Sequence, residues 1–154
     1  MKRNPNTDVL EFWQAARDYL HAYLPTVRKL AVKTIEAYRI SLECFIAYLT
    51  DHHHIPREDI SFDHFHRQQL KSWLAWMNTE QNYAPRTIGL RLTAVKAFLA
   101  YAAQEDIRLM ALAQAANSRR PPVAPRHPVD YLTETETRAI LAAHTGTTPK
   151  SRRN

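Results

Sequence analysis

The sequence is poor in the residues that build tight turns, disulfides and membrane spans. Its 154 residues include two glycines and one cysteine, Cys44. Scarce glycine argues against sheet-rich folds and Gly-rich phosphate loops, since both need residues that tolerate positive φ. One cysteine cannot form an internal disulfide, which fits a reducing compartment. With no run of eighteen apolar residues and no signal-peptide pattern, we expect a soluble, cytoplasmic protein.

Basic residues outnumber acidic ones, and they are unevenly distributed. The chain holds 21 Lys and Arg against 15 Asp and Glu, a formal charge of +6. Residues 1–107 carry 13 basic and 12 acidic residues, net +1, whereas residues 108–154 carry 8 and 3, net +5. This distribution favours an anionic partner. A mildly basic, solvated surface would have the same composition.

Apolar residues at helical spacing, together with caps and prolines, predict an all-helical fold. The expected helices run from a cap at Thr7 or Asp8 to Leu24, from Val32 to residues 51–54, from a cap at Ser61 or Asp63 to a break at residues 82–83, from Pro85 to about Gln104, and over residues 108–117. Pro25 should end the first helix or open a short turn. Pro85 stands where a helix tolerates proline, in the first turn. Trp13, Trp73 and Trp76 are expected in the core.

The composition changes after residue 117. Residues 118–130, SRRPPVAPRHPVD, hold four prolines and three arginines, a composition typical of an extended linker. Thr133 and Glu136 then form a capping-box pattern that predicts one more short helix. The apolar side chains of that helix, Leu132, Ile140 and Leu141, have no following segment to pack against. We therefore expect a disordered tail (1–7), a helical domain (8–117), a linker (118–130) and the truncated start of a second domain (131–154).

The second and fourth predicted helices resemble each other. Residues 34–49 read TIEAYRISLECFIAYL and residues 87–102 read TIGLRLTAVKAFLAYA, with a constant offset of 53. Each helix carries a flank of small, hydroxyl or basic residues suited to close approach to a phosphate backbone. Gly89 inside a helix costs about 1 kcal/mol against alanine, which we attribute to such an approach. Ordinary capping by Thr-Ile and ordinary core packing by Phe-x-x-Tyr would give the same pattern.

A known family shares this order of motifs. The pattern T-I-x-x-Y-R-x-x-L-x-x-F over residues 34–45 resembles the amino-terminal core-binding domain of tyrosine recombinases, the phage integrase family. In that family a later helix again begins with Thr-Ile and ends with Phe and aromatic residues, here Phe98 and Tyr101. The linker and YLTETETRAILAA are similar to the family's transition into its catalytic domain. The resemblance covers about residues 8–154.

The resemblance implies an all-α, four- to five-helix orthogonal bundle of the SAM-like type that forms half of a clamp around duplex DNA. The second and fourth helices would face the DNA, other recombinase protomers would share it, and no cofactor is implied. Together with the flanks above and the linker arginines, it predicts these DNA-binding residues: Lys33, Thr34, Tyr38, Arg39, Ser41, Arg86, Thr87, Gly89, Thr93, Lys96, Arg119 and Arg120.

No catalytic residue is assigned. The family attacks a phosphodiester with a tyrosine, while arginines and His or Lys residues stabilise the pentavalent phosphate. The first of those arginines is expected in a T-G-x-R segment beyond residue 154, and Thr145-Gly146 is followed by threonines instead. The chain is therefore expected to end before the catalytic residues. Two His-x-x-Arg patterns, at residues 54–57 and 64–67, are attributed to chance.

Three consecutive histidines, residues 52–54, raise the question of a metal site. Adjacent residues at a helix end point in different directions, so an interaction with the helix dipole is favoured over metal binding. Two other functions stay open: a protein-interaction bundle that binds no DNA, and a small enzyme that uses the histidine cluster.

Overall fold

A computed structural model describes residues 4–121 and 133–145 of the chain. The chain divides into two compact units, Met1–Ala124 and Pro125–Asn154. The first unit contains helices α1 (Pro5–Asp18), α2 (Val32–Asp51), α3 (Arg67–Thr79), α4 (Pro85–Glu105) and α5 (Met110–Asn117), and the second contains α6 (Glu134–Thr145). No strand occurs in the described residues, and the predicted all-α class is confirmed. None of the described helices has the length and apolarity needed to cross a membrane.

The first helix differs from its prediction at both ends. The Asn4 side chain accepts a hydrogen bond from Asn6 N at 3.2 Å and caps α1, so the helix begins at Pro5 rather than after Thr7 or Asp8. Residues 5–7, expected in the disordered tail, are therefore helical, because proline is pre-organised for the first helical position. Residues 1–3 lie outside the described part.

Pro25 does not end the first helical segment. A π-helix, Tyr19–Val27, continues α1 and contains that proline. In regular α-helix a proline lacks its N–H and clashes with the carbonyl four residues earlier. Here the proline lies instead in a wider π-helical segment, in which hydrogen bonds run to the carbonyl five residues earlier. Arg28 N donates to Tyr23 O in this way at 3.0 Å.

Three helical segments end in left-handed residues, none of which is glycine. Lys29, His54 and Asn82 have φ of 50°, 56° and 51° and follow the π-helix, α2 and α3. The residue after each donates to a carbonyl six positions earlier: Leu30 to Leu24, Ile55 to Leu49 and Tyr83 to Met77. The arrangement is similar to the Schellman motif, whose corresponding bond spans five positions and whose left-handed residue is usually glycine. These three helical segments thus end in left-handed residues without using glycine.

The third predicted helix is split in two. Ser61 caps a 3₁₀ turn, Phe62–Phe65, and His64 Nδ1 accepts from Ser61 N at 3.1 Å. α3 then begins at Arg67, capped by His66, whose Nδ1 accepts from Gln69 N at 3.3 Å. Sequence rules favour Ser, Thr, Asp and Asn as caps, so the two capping histidines were not foreseen.

Aromatic rings form the centre of the first unit. Phe98 on α4 is fully buried, and its ring centroid lies 5.4 to 6.3 Å from the four rings of Phe12, Tyr19, Phe62 and Phe65. Trp73 is also fully buried, whereas Trp13 and Trp76 are half-buried against this core. The expectation that the tryptophans serve the core is confirmed for Trp73 and holds in part for the other two.

In the second unit, α6 has the predicted capping box. Thr133 Oγ1 accepts from Glu136 N at 3.3 Å, and Glu136 Oε2 accepts from Thr133 N at 2.8 Å. Ile140 and Leu141 are exposed, as predicted. Leu132, linker residues 122–130 and the tail from residue 146 lie outside the described part.

Candidate nucleic-acid interface

Four cations from α4 and the segment after α5 form the first candidate surface, which we call the α4 patch: Arg86, Lys96, Arg119 and Arg120. Lys96 Nζ donates to the carbonyls of Asn117, at 3.4 Å, and Arg119, so α4 and the end of α5 are joined here. Pro121 packs beside Gly89, one helical turn from Arg86. The fold thus brings the predicted α4 flank and the two linker arginines together.

The arginines of the α4 patch have no acidic partner in the described part of the chain. No ion pair there involves Arg86, Arg119 or Arg120. Arg119 Nε is buried, and no described residue accepts a hydrogen bond from it. A group of unpaired guanidiniums of this kind attracts phosphate, which guanidinium groups bind in a bidentate manner.

Lys96 differs from its neighbours because its charge is already used. Its ammonium lies at the carboxyl end of α5, where a cation is stabilised by unpaired carbonyls and the helix dipole. Burial, and after it the Arg120 charge, lowers the pKa of Lys96. Lys96 is thus engaged within the fold rather than presented as a free cation, and its contact with DNA stays a prediction. It fixes the end of α5, from which Arg119 and Arg120 project.

A second basic surface, the α2 patch, consists of Arg28, Lys29 and Lys33. All three side chains are exposed around the start of α2, and Thr34 beside them is exposed too. Arg28 and Lys29 were missed by sequence reasoning, which expected a break after Pro25. The signal was present in the sequence TVRKLAVKT, which holds three cations in nine residues.

α2 and α4 also begin with similar residues, so the repeat between residues 34–49 and 87–102 extends to the starts of both helices. Residues 31–35 read AVKTI and residues 84–88 read APRTI. In each, alanine is the N-cap and supplies no side-chain hydrogen bond, the second helical residue is a cation, and the third is threonine. Uncapped first-turn N–H groups with a nearby cation favour an anion at both helix starts.

The two patches lie at different levels of the bundle. Tyr38 lines the same cavity as Ala97, Ala100 and Tyr101, so the first half of α2 lies beside the second half of α4. Arg86 precedes Ala97 by about eleven residues, or roughly 16 Å along the helix. Arg86 therefore lies toward the other end of α4 from the part that lines the cavity with Tyr38.

Acidic side chains gather elsewhere in the first unit. One groove is lined by Asp8, Glu11, Asp63 and Asp106, with Arg108 beside them. The small net charge of +1 over residues 1–107 therefore arises from basic and acidic side chains that lie on different surfaces.

The family comparison agrees with this architecture. A model of the phage integrase N-terminal, SAM-like domain matches residues 17–106, from the end of α1 to just beyond α4. The chain belongs to this family. The match confirms the resemblance seen in the sequence, and it spans the α2 patch and the α4 side of the α4 patch. It describes the N-terminal integrase domain and not a catalytic domain. No curated protein and no solved structure matches the chain significantly.

Three residues predicted to bind DNA take other roles in the integrase domain. Ser41 is buried, and its hydroxyl donates to Ala37 O at 2.7 Å, so it is unavailable to a ligand. Arg39 pairs with Glu36 on a side of α2 about 140° from Thr34. Gly89 faces Pro121: a Cβ added at residue 89 would lie 3.8 Å from that ring. These intramolecular contacts argue against a role in DNA binding, which for the three residues stays a prediction.

The remaining predicted residues are placed as follows. Thr93 is exposed, and its hydroxyl donates to Gly89 O at 2.8 Å. Thr87 is half-buried. Tyr38 is half-buried too and belongs to a group of tyrosines, with its ring centroid 6.5 Å from that of Tyr19.

Gly89→Ala tests the reassignment of that glycine. A distance of 3.8 Å is ordinary contact, so alanine fits, and it should raise stability by up to about 1 kcal/mol through helix propensity. We expect the melting temperature to rise by a few degrees in thermal unfolding, and DNA affinity to stay within about twofold. A tenfold loss of affinity in a stably folded variant would return Gly89 to the interface.

The three consecutive histidines do not point to a common centre. His53 Nε2 lies 2.8 Å from Tyr48 Oη, and His52 stacks on the same tyrosine and lies 3.7 Å from Glu80. His54 occupies the left-handed position after α2. Burial, and after it the neighbouring histidines, lowers the pKa of His53. In the described part of the chain, no group of three or more possible ligands could hold a metal ion.

Proposed function

We propose that this integrase-family domain binds the backbone of duplex DNA through its α2 and α4 patches. The proposal rests on one observation. Lys96 of α4 contacts the end of α5, and this contact places the unpaired guanidiniums of Arg119 and Arg120 on the same surface as α4. The similar first turns of α2 and α4 support the proposal, because in both the backbone N–H groups lack a side-chain cap and lie beside a cation. Family membership supplies the context of a recombinase.

The wider role follows from the family. We propose that residues 8–117 act as the DNA-clamping domain of a cytoplasmic, tyrosine-type site-specific recombinase, working with other protomers on the same DNA. Residues 118–130 would then link it to residues 131–154, the start of a catalytic domain. The DNA contacts proposed for this chain position the duplex, and we assign no strand-cleaving residue to them.

A salt titration of DNA binding tests the proposal. The unpaired exposed cations of the two patches, with Arg119, offer about four to six phosphate contacts. Each contact releases counterions, so log K should fall with log salt at a slope of about −3.5 to −5.5. Fluorescence anisotropy on labelled duplexes of unrelated sequence should give similar affinities, since phosphate contacts carry no sequence information. Salt-independent binding, or no binding at low salt, would favour the protein-interaction bundle instead.

A further inference from the structure

A small cavity lies between the π-helix, the first half of α2 and the second half of α4. Its volume is about 140 Å³, well below that of pockets for drug-sized ligands. Four tyrosines line it, Tyr19, Tyr23, Tyr38 and Tyr101, together with the polar side chains of Arg28 and Gln104. Its other walls are leucine and alanine, and no carboxylate lines it.

Tyr19 is the unusual member of this group. Its side chain is only 2% exposed, yet its hydroxyl takes part in no hydrogen bond within the described part of the chain. The Tyr19 oxygen is not one of the fully buried, unpaired polar atoms of the described residues, so it keeps some accessible surface and can meet a ligand. Tyr48, equally buried, has its hydroxyl paired with His53 at 2.8 Å.

The cavity lining includes several groups that can donate a hydrogen bond. Burial raises the pKa of Tyr19 and, less strongly, that of Tyr101, so both phenols stay protonated at neutral pH and can donate. Arg28 supplies a positive charge that is unpaired in the described residues, and the Gln104 amide adds a further donor. Glu105 and Asp18 act on Tyr101 and contribute to its raised pKa, but neither of them lines the cavity. The cavity lining itself, with several donors and one cation, is complementary to an oxyanion.

The position of the cavity narrows the choice of oxyanion. Arg28 belongs both to the cavity lining and to the α2 patch, and Leu30, also in the lining, directly precedes the Ala31 N-cap of α2. A phosphate placed here would therefore meet the tyrosine hydroxyls, Arg28 and the start of α2 together.

We infer that the tyrosine cavity seats a single phosphate group. This inference rests on the proposed function for its ligand: the phosphate is one of the DNA backbone that crosses the α2 patch. A free phosphate offers the same oxygens, so the experiment must separate the two sources.

Tyr19→Phe removes only the unpaired hydroxyl. Because that hydroxyl has no partner in the described fold, we expect an unchanged or slightly higher melting temperature. DNA affinity should fall by about three- to tenfold while the salt slope stays the same, since no charge is lost. Arg28→Gln should also weaken binding, but with a slope smaller in magnitude by about 0.9. The matched control is Tyr48→Phe, which removes a paired hydroxyl near the other end of α2 and should leave DNA affinity unchanged.

Inorganic phosphate, titrated against chloride at constant ionic strength, separates the two sources. A rise in melting temperature that Tyr19→Phe abolishes would mean that the cavity also takes free phosphate. Weaker DNA binding by Tyr19→Phe without that rise would mean that it takes the backbone phosphate alone. The inference would be overturned if Tyr19→Phe bound DNA as tightly as the wild type and phosphate did not raise the melting temperature of the wild type. The salt titration could then still support DNA binding. If the wild type binds no DNA but shows the rise, the cavity stands and the proposed function fails; if it shows neither, both fail.

Discussion

Lys96→Glu is expected to lower both the stability and the DNA affinity of this domain, whereas Arg86→Glu should lower DNA affinity alone. In the first variant a carboxylate would replace the ammonium that hydrogen-bonds the Asn117 and Arg119 carbonyls. The lost charge-assisted bonds and the unfavourable charge at the end of α5 together cost about 2–3 kcal/mol. That is a large share of the roughly 5–15 kcal/mol that holds a typical domain together.

The two variants separate the roles within the α4 patch. Arg86 is exposed and unpaired among the described residues, so its reversal should change stability by less than about 0.5 kcal/mol. Its DNA affinity should fall about tenfold, with a smaller salt slope, as for any lost phosphate contact. Urea unfolding and anisotropy would be measured on both variants. Equal stability in the two would mean that Lys96 does not secure α5, and the sequence-based placement of Lys96 on a free surface would be restored.

A double-mutant cycle tests how Lys96 acts on DNA. If it acts by holding Arg119 and Arg120 in place, Lys96→Met should weaken binding in the wild type. The same change should have almost no effect once both arginines are glutamine. Independent contacts would instead give free energies that add.

The helices of the interface could be predicted from sequence because their signals are local. α2 begins at Val32 as expected, and α4 begins at Pro85 and ends one residue beyond the predicted Gln104. Apolar spacing and a first-turn proline both act within a few residues of the helix they define. The capping box at Thr133 is equally local and was confirmed.

The roles of individual interface residues could not be predicted, because they depend on long-range packing. Lys96 lies on the predicted flank of α4, but no periodicity reveals that α5 docks against it. The same docking places Pro121 over Gly89. Ser41 lies within about 40° of Phe45 around α2, so it falls inside the buried stripe once the true partner helix is known. Arg28 was missed because a π-helix, which has no simple sequence signature, carries the chain past Pro25.

Phe98→Ala should cause the largest loss of stability of any variant considered. The ring is fully buried and packs against four other aromatic rings, from α1, the π-helix and the 3₁₀ turn before α3. Truncation of a buried phenylalanine costs about 3–5 kcal/mol, since transfer free energy is lost and a cavity remains. We expect urea unfolding to show a midpoint lowered by a third or more, with the near-UV circular dichroism of the tyrosines and tryptophans weakened.

Two controls locate the source of that loss. Phe98→Leu keeps most of the apolar volume and should cost much less than the alanine variant. Leu90→Ala, on the exposed side of the same helix, should be nearly neutral because Leu90 is 63% exposed. Since Phe98 also contacts Tyr19, the alanine variant should loosen the tyrosine cavity, and its DNA affinity should fall further than that of Phe98→Leu. A loss below about 1 kcal/mol would show that the aromatic cluster is not the centre on which α1, the π-helix and α4 depend.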